Sequence, residues 1–371
     1  MEFLNEVGLF LAQAVSVVLA LLLLVLGIAV IAQRQKKGGV DGHMEVRKLH
    51  ERYRHHADTL AEALDPEGAK AAAKAREKAD KAAAKARKKA HKQARKLAQK
   101  ASREAPEGEG QTGGGSTPRE RPVTFVLDFE GDLRAAAAEQ LREEVSAVLA
   151  ARREGDDVIL RLESPGGIVH GYGLAASQLQ RLRDAGMPLT VCVDKVAASG
   201  GYMMACVAER IVAAPFAVLG SIGVVAQLPN FHRFLKKHDV DVELLTAGEY
   251  KRTLTLFGEN TDKGRQKFQE ELEDTHELFK AFVHENRPAL DVAAVATGEI
   301  WYGRRALEAG LVDELSTSDA LLTSLAAERD LLSVRFVQRR NWQDRLGVAA
   351  EEALTRTVLR LWQRGLDRRQ V

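Results

Sequence analysis

Ser199 stands in KVAASGGYMMACVAERIVAAP, followed at once by two glycines and an apolar run that reads as a helix. A serine so placed can cap the helix through its hydroxyl. It can also act as a nucleophile once a base removes its proton. Two kinds of base compete. A histidine base would be His170, just after the turn SPGG at 164–167, with Asp194 to orient it; His232 and His238 lie in a basic stretch that reads as exposed. A lysine base would be Lys251 in TAGEYKRTL, 52 positions after Ser199. A lysine can take a proton only when neutral, so burial away from carboxylates must lower its pKa by several units from about 10.4. Taken alone, a loop lysine is a solvated charge, and the residues by themselves leave both bases open. Glycines let backbone approach a ligand closely, and N–H groups at a helix start favour developing negative charge. The turns at 164–167 and 198–201 are therefore the places to look for an anion-binding hole. Cys192 and Cys206 read as buried small apolar residues, not a disulfide framework. No metal or cofactor is expected.

These groups need elements to hold them. Short apolar segments alternate with helical ones after Pro122. VTFVLDF (123–129), DVILRLES (157–164), PLTVCVDKVA (188–197) and RIVAAP (210–215) read as strands. LREEVSAVLAARREG (141–155), GLAASQLQRLRDAG (173–186) and SGGYMMACVAE (199–209) read as helices, the first two closed by Gly155 and Gly186. A long helix is expected over roughly 261–287, and GEIWYGRRALEAGLVDEL reads as a turn, a helix and a strand. This alternation predicts an α/β body with a mainly parallel sheet. In such sheets ligands gather at the carboxyl ends of strands, where both Gly-rich turns fall.

The chain before this body is different. Its 371 residues carry a formal charge of +2, which hides an asymmetry: 21 Lys+Arg against 12 Asp+Glu through Glu104, and 33 against 40 beyond it. Val7 to Ala32 is a run of 26 residues without a charge, long enough to span a bilayer. Glu2 and Glu6 precede it and no Lys or Arg does, so it reads as an uncleaved anchor and not a signal peptide. Arg34, Lys36 and Lys37 follow it, and this flank would put the body in the cytoplasm. Lys70 to Lys100 carries 13 Lys+Arg and two acids among many alanines. It predicts a solvated helix that serves as spacer or docks on anionic lipid. Without interleaved aromatics it gives no support for nucleic-acid binding. A Gly/Pro/Ser linker, APEGEGQTGGGSTPRERP, closes this region. The expected organisation is an anchor at 1–33, a basic helical segment and linker at 34–121, the body at 122–337, and a basic amphipathic helix at 338–371.

The motifs RLESPGG, KVAASGGYMMACVAERIVAAPFAVLGSIGVV, AGEYKR and TGEIWYGRRALEAGLVDE occur in one order, together with VHGYGLAASQLQRLR. In this order they resemble the S49 family of membrane-bound Ser-Lys peptidases, relatives of signal peptide peptidase A. The resemblance is strong over 122–316 and loose over 38–120 and 338–371. It implies a ClpP/crotonase-like βα superhelix. It implies that Ser199 is the nucleophile, Lys251 the general base and Ser221 in GSIG the serine that orients the lysine. Gly166 and Gly167 would help form the oxyanion hole, with Gly200 as second contributor. The implied activity is that of a single-pass endopeptidase of the bacterial inner membrane, acting on peptides or unfolded protein. The implied assembly is a homo-oligomeric ring in which serine and lysine can come from neighbouring subunits. It also implies that the body faces the periplasm, against the charge flanks. A non-enzymatic membrane scaffold of the same fold is the competing class, and acyl-CoA chemistry a third.

Overall fold

The computed structural model describes residues 42–78, isolated helical positions between 81 and 93, and residues 121–338. The expected anchor, most of the basic segment, the linker and the C-terminal helix lie outside the described residues. Among the described residues no helix is long and apolar enough to cross a membrane. Met44–Phe336 forms one compact unit, to which nearly all the described elements belong.

Strand β1 (Gly42–Lys48) and helix α1 (Leu49–Leu64) come first, with helical backbone again over 66–78. The alternating part runs β2 (Val123–Glu130), α2 (Ala138–Ala151), β3 (Asp157–Glu163), α3 (Val169–Asp184), β4 (Leu189–Val193), β5 (Val196–Ala198), α4 (Gly200–Ala205), β6 (Arg210–Ala213) and β7 (Val218–Gly220). Then follow α5 (His232–Lys237), α6 (Asp262–Asn286), α7 (Val292–Val295), β8 (Ile300–Tyr302), α8 (Gly303–Glu308), β9 (Glu314–Leu315), α9 (Ser318–Leu325) and β10 (Asp330–Gln338). A seven-stranded sheet has the order β1-β10-β2-β3-β4-β6-β9, and every pairing from β10 to β9 is parallel. A second sheet, β5-β7-β8, is mixed: β5 and β7 are parallel, β7 and β8 antiparallel.

Side chains alternate across the main sheet, and both faces are covered, as a parallel sheet requires. Leu127, Phe129, Leu160, Leu162, Val191 and Val193 join the larger core with Leu141 and Val145 of α2 and Leu179 of α3. Val126, Ile159 and Cys192 face the other way and meet Leu49 of α1 and Leu322 of α9. Each such leucine, fully buried, contributes about 1.5–3 kcal/mol.

The α/β expectation holds, with three differences of detail. The strand expected over 188–197 is two strands in two sheets. At Asp194 the chain leaves the main sheet: its carboxylate accepts from the Ser318 N–H at 2.8 Å and starts α9, while the next carbonyl, Lys195, accepts from Val218 in the second sheet at 2.8 Å. The apolar pattern VCVDKVAA runs straight through this departure and does not mark it. The helix expected to close at Gly155 stops at Ala151, and Gly155, with φ of 83°, serves the turn into β3 instead. The third difference is β1 with α1, which supplies an edge strand and a buried Leu49 from a stretch that reads as part of the basic segment.

Candidate active site

Ser199 occupies the junction of β5 and α4. Its φ of 52° and ψ of −118° place a non-glycine residue in the positive-φ half of backbone space, a strain of about 1–3 kcal/mol that the surroundings must hold. They do so through its own peptide groups. The Ser199 N–H donates to the Gly220 carbonyl at 2.8 Å, and its carbonyl accepts from Met203 N–H at 3.0 Å. By position Ser199 is the N-cap of α4, yet its hydroxyl makes no capping hydrogen bond. The cap reading therefore does not account for this serine. The helix behind it, from Gly200 through Ala205, is wholly buried.

The SPGG turn lies against it. Ser164 pairs with β5: its N–H donates to Val196 at 2.8 Å and its carbonyl accepts from Ala198 at 3.0 Å. Gly166 has φ of 90°, and a Cβ there would stand 2.7 Å from both the Ala198 carbonyl oxygen and Ser199 Cβ. Only glycine fits this approach. A buried hydroxyl chain fixes the turn from beneath. Tyr172 Oη donates to the Asp132 carbonyl at 2.8 Å, Ser164 Oγ donates to Tyr172 Oη at 2.6 Å, and Gly166 N–H donates to Ser164 Oγ at 3.1 Å. Burial pushes the Tyr172 phenol above its ordinary pKa, so it stays a donor. The Gly166 N–H is thus engaged, whereas the N–H groups of Gly167 and Gly200 have no acceptor among the described residues. A small cavity opens between them, lined by Gly167, Val169, Ser199, Met203, Val224 and Phe279 among others. Its lining beside the serine is mainly apolar.

Ser221 sits at the end of β7 with φ of 50°, and its N–H donates to Glu299 O at 2.7 Å. It belongs to the same turn as Gly220, whose carbonyl receives the Ser199 N–H. Lys251 is exposed, in an irregular stretch after α5, with its N–H donating to Gly248 O at 3.2 Å. Lys251 does not line the cavity, and among the described residues its ammonium makes no hydrogen bond or ion pair. Within one chain, then, Ser199, Gly167 and Gly200 line one cavity beside the Ser221 turn, and Lys251 is not among the residues that line it. The histidine alternative finds no partner: His170 is exposed in the first turn of α3, and both Asp194 carboxylate oxygens are taken by Ser318.

Tyr172, beneath the SPGG turn, and Thr275 and Phe279 of α6, which line the cavity, were not among the expected site residues. The signal for the latter was available, since Thr275, Phe279 and Val283 follow one another at helical spacing.

Residues 181–332 match the model of peptidase family S49, and residues 2–179 match the model of the N-terminal region of that family. The chain belongs to peptidase family S49, a family of proteases. It is similar to the probable protease SohB of Haemophilus influenzae, with 48% identity over 360 residues, 97% of this chain and 96% of that protein. It is likewise similar to the probable protease SohB of Buchnera aphidicola from Acyrthosiphon pisum, with 55% identity over 238 residues, 64% of this chain and 71% of that one. Among solved structures, a mutant of the 1510-N membrane-bound stomatin-specific protease in complex with a substrate peptide matches with a TM-score of 0.35. It has 13% identity and covers 55% of this chain and 80% of that one.

Proposed function

We propose that the protein is a membrane-anchored serine endopeptidase working through a Ser199–Lys251 dyad. The observation that carries the proposal is the strained Ser199, its hydroxyl free of any capping bond, beside two N–H groups without acceptors among the described residues and a small, mainly apolar cavity. Neutral Lys251 takes the Ser199 proton as Oγ attacks a peptide carbonyl. The N–H groups of Gly167 and Gly200 receive the oxyanion, a contribution of roughly 3–4 kcal/mol per donor. Gly166 shapes the turn that aims Gly167. Lys251 then protonates the leaving amine, and water hydrolyses the acyl-enzyme. Ser221 orients the lysine.

For Lys251 to reach Ser199, we propose that it arrives from a neighbouring copy in a homo-oligomeric ring. The stretch that bears it also exposes large apolar side chains, with Val225 91% and Leu245 90% exposed. Such a surface favours association. The charge-free run 7–32 anchors the chain in the bacterial inner membrane, and the basic residues of 70–100 meet anionic headgroups. Protease protection on intact cells reads which side the body faces; cleavage from outside would exclude the cytoplasm. Substrates are peptides or unfolded exported and membrane proteins.

The experiment is peptide cleavage by the full chain in detergent, with Ser199→Ala and Lys251→Ala made separately. Each should lose activity by about three orders of magnitude or more. Unchanged activity in either variant rejects the dyad.

A further inference from the structure

The turn at 220–223 carries two consecutive positive-φ residues, Gly220 at 82° and Ser221 at 50°. It also carries the carbonyl that holds the Ser199 N–H. Such a turn needs clamps on both sides. On one side, Ser221 N–H donates to Glu299 O at 2.7 Å and Gly298 N–H donates to Ile222 O at 3.2 Å. On the other side is a side chain, His276 of α6, whose Nε2 stands 3.2 Å from the same Ile222 carbonyl oxygen. A carbonyl has no proton to give, so the bond exists only with the proton on Nε2. Ile222 itself is fully buried. His276 is the one side chain hydrogen-bonded to this turn among the described residues; the other clamps are peptide groups. Its neighbours in α6, Thr275 and Phe279, line the cavity beside Ser199.

We propose that His276 is a positioning residue for the proteolytic reaction. By holding the Ile222 carbonyl it fixes the left-handed Ser221 and, through Gly220, the strained backbone of the nucleophile. It touches neither substrate nor the reacting atoms. This inference rests on the roles given above to Ser199 and Ser221.

The test uses the full chain in detergent and a peptide substrate, with kcat, KM and the thermal midpoint measured together. His276→Ala should lower kcat about tenfold or more with KM held within about twofold, because the cavity is left in place. His276→Gln, whose amide N–H can reach the same carbonyl, should recover most of the loss. Should His276→Ala fail to fold, His276→Gln against His276→Met gives the same comparison, since the two are alike in size and differ in the donor. An unchanged kcat in the variants lacking a donor overturns the proposal. So does a Gln variant no better than Ala or Met, or a loss confined to KM. Ser199→Ala run alongside separates the two levels: if it still cleaves, the reading of the site itself is wrong.

Discussion

At Gly166 a single methyl group decides whether the site can form. The added carbon would meet the Ala198 carbonyl and Ser199 Cβ at 2.7 Å each, in a backbone whose φ of 90° already excludes ordinary side chains. Gly166→Ala should therefore cost about 1–3 kcal/mol of stability. It should also lower kcat steeply by displacing the Gly167 N–H. Denaturant titration and peptide cleavage on the same preparation check both, and an alanine variant of full activity would contradict the described turn. The Gly-rich turns were legible because a close backbone approach and a positive φ demand glycine locally; the roles given to Ser199 and these glycines came from resemblance. The Ser164–Tyr172–Asp132 chain was not legible, since Tyr172 Oη meets Ser164 and the Asp132 carbonyl only after β3, α3 and the β2–α2 turn have packed. Lys251 was found through resemblance; nothing in its own surroundings distinguishes it from a solvated lysine.

Between elements, Glu144 of α2 is the group most out of place. It is 2% exposed, its Oε1 accepts from the Phe336 N–H of β10 at 2.8 Å, and its Oε2 has no hydrogen-bond partner among the described residues. Burial pushes its pKa up to about 7, against the Phe336 hydrogen bond, which lowers it. The sign of the linkage follows. From the usual carboxylate range up to about 7, the unfolded chain releases a proton that folded Glu144 retains, so stability falls as pH rises through that window. Glu144→Gln should flatten this slope and stabilise the protein above pH 7 by about 1–3 kcal/mol. Thermal midpoints at several pH values from 5 to 9 measure it, and parallel curves for the two proteins would contradict the assignment. Most strands and helices could be read because short apolar runs alternate with amphipathic helical stretches along the chain. The divided strand at Asp194 could not, since the sheet it joins is set by Ser164 and Val218 at a distance. The edge strand β1, GHMEVRK, is mostly exposed and so carries no apolar signature.

For the whole molecule, the proposed ring makes assembly part of the chemistry, because Lys251 is not among the residues that line the cavity beside Ser199. Mixed oligomers of Ser199→Ala and Lys251→Ala chains should regain a substantial fraction of wild-type cleavage, because some interfaces pair an intact serine with an intact lysine. Co-expression followed by a peptide assay checks this; mixtures as inactive as the parents would place both groups on one chain. The proposed ring comes from resemblance, since composition and periodicity describe single elements and not contacts between copies. The central claim, that Ser199 is a nucleophile activated by Lys251, is met most directly by a fluorophosphonate probe on the full chain, with the adduct located by mass spectrometry. The account predicts one modified residue, Ser199, labelled rapidly in the wild type and at least about a hundredfold more slowly in Lys251→Ala. Labelling at another serine, or at Ser199 with equal speed in both proteins, would contradict it.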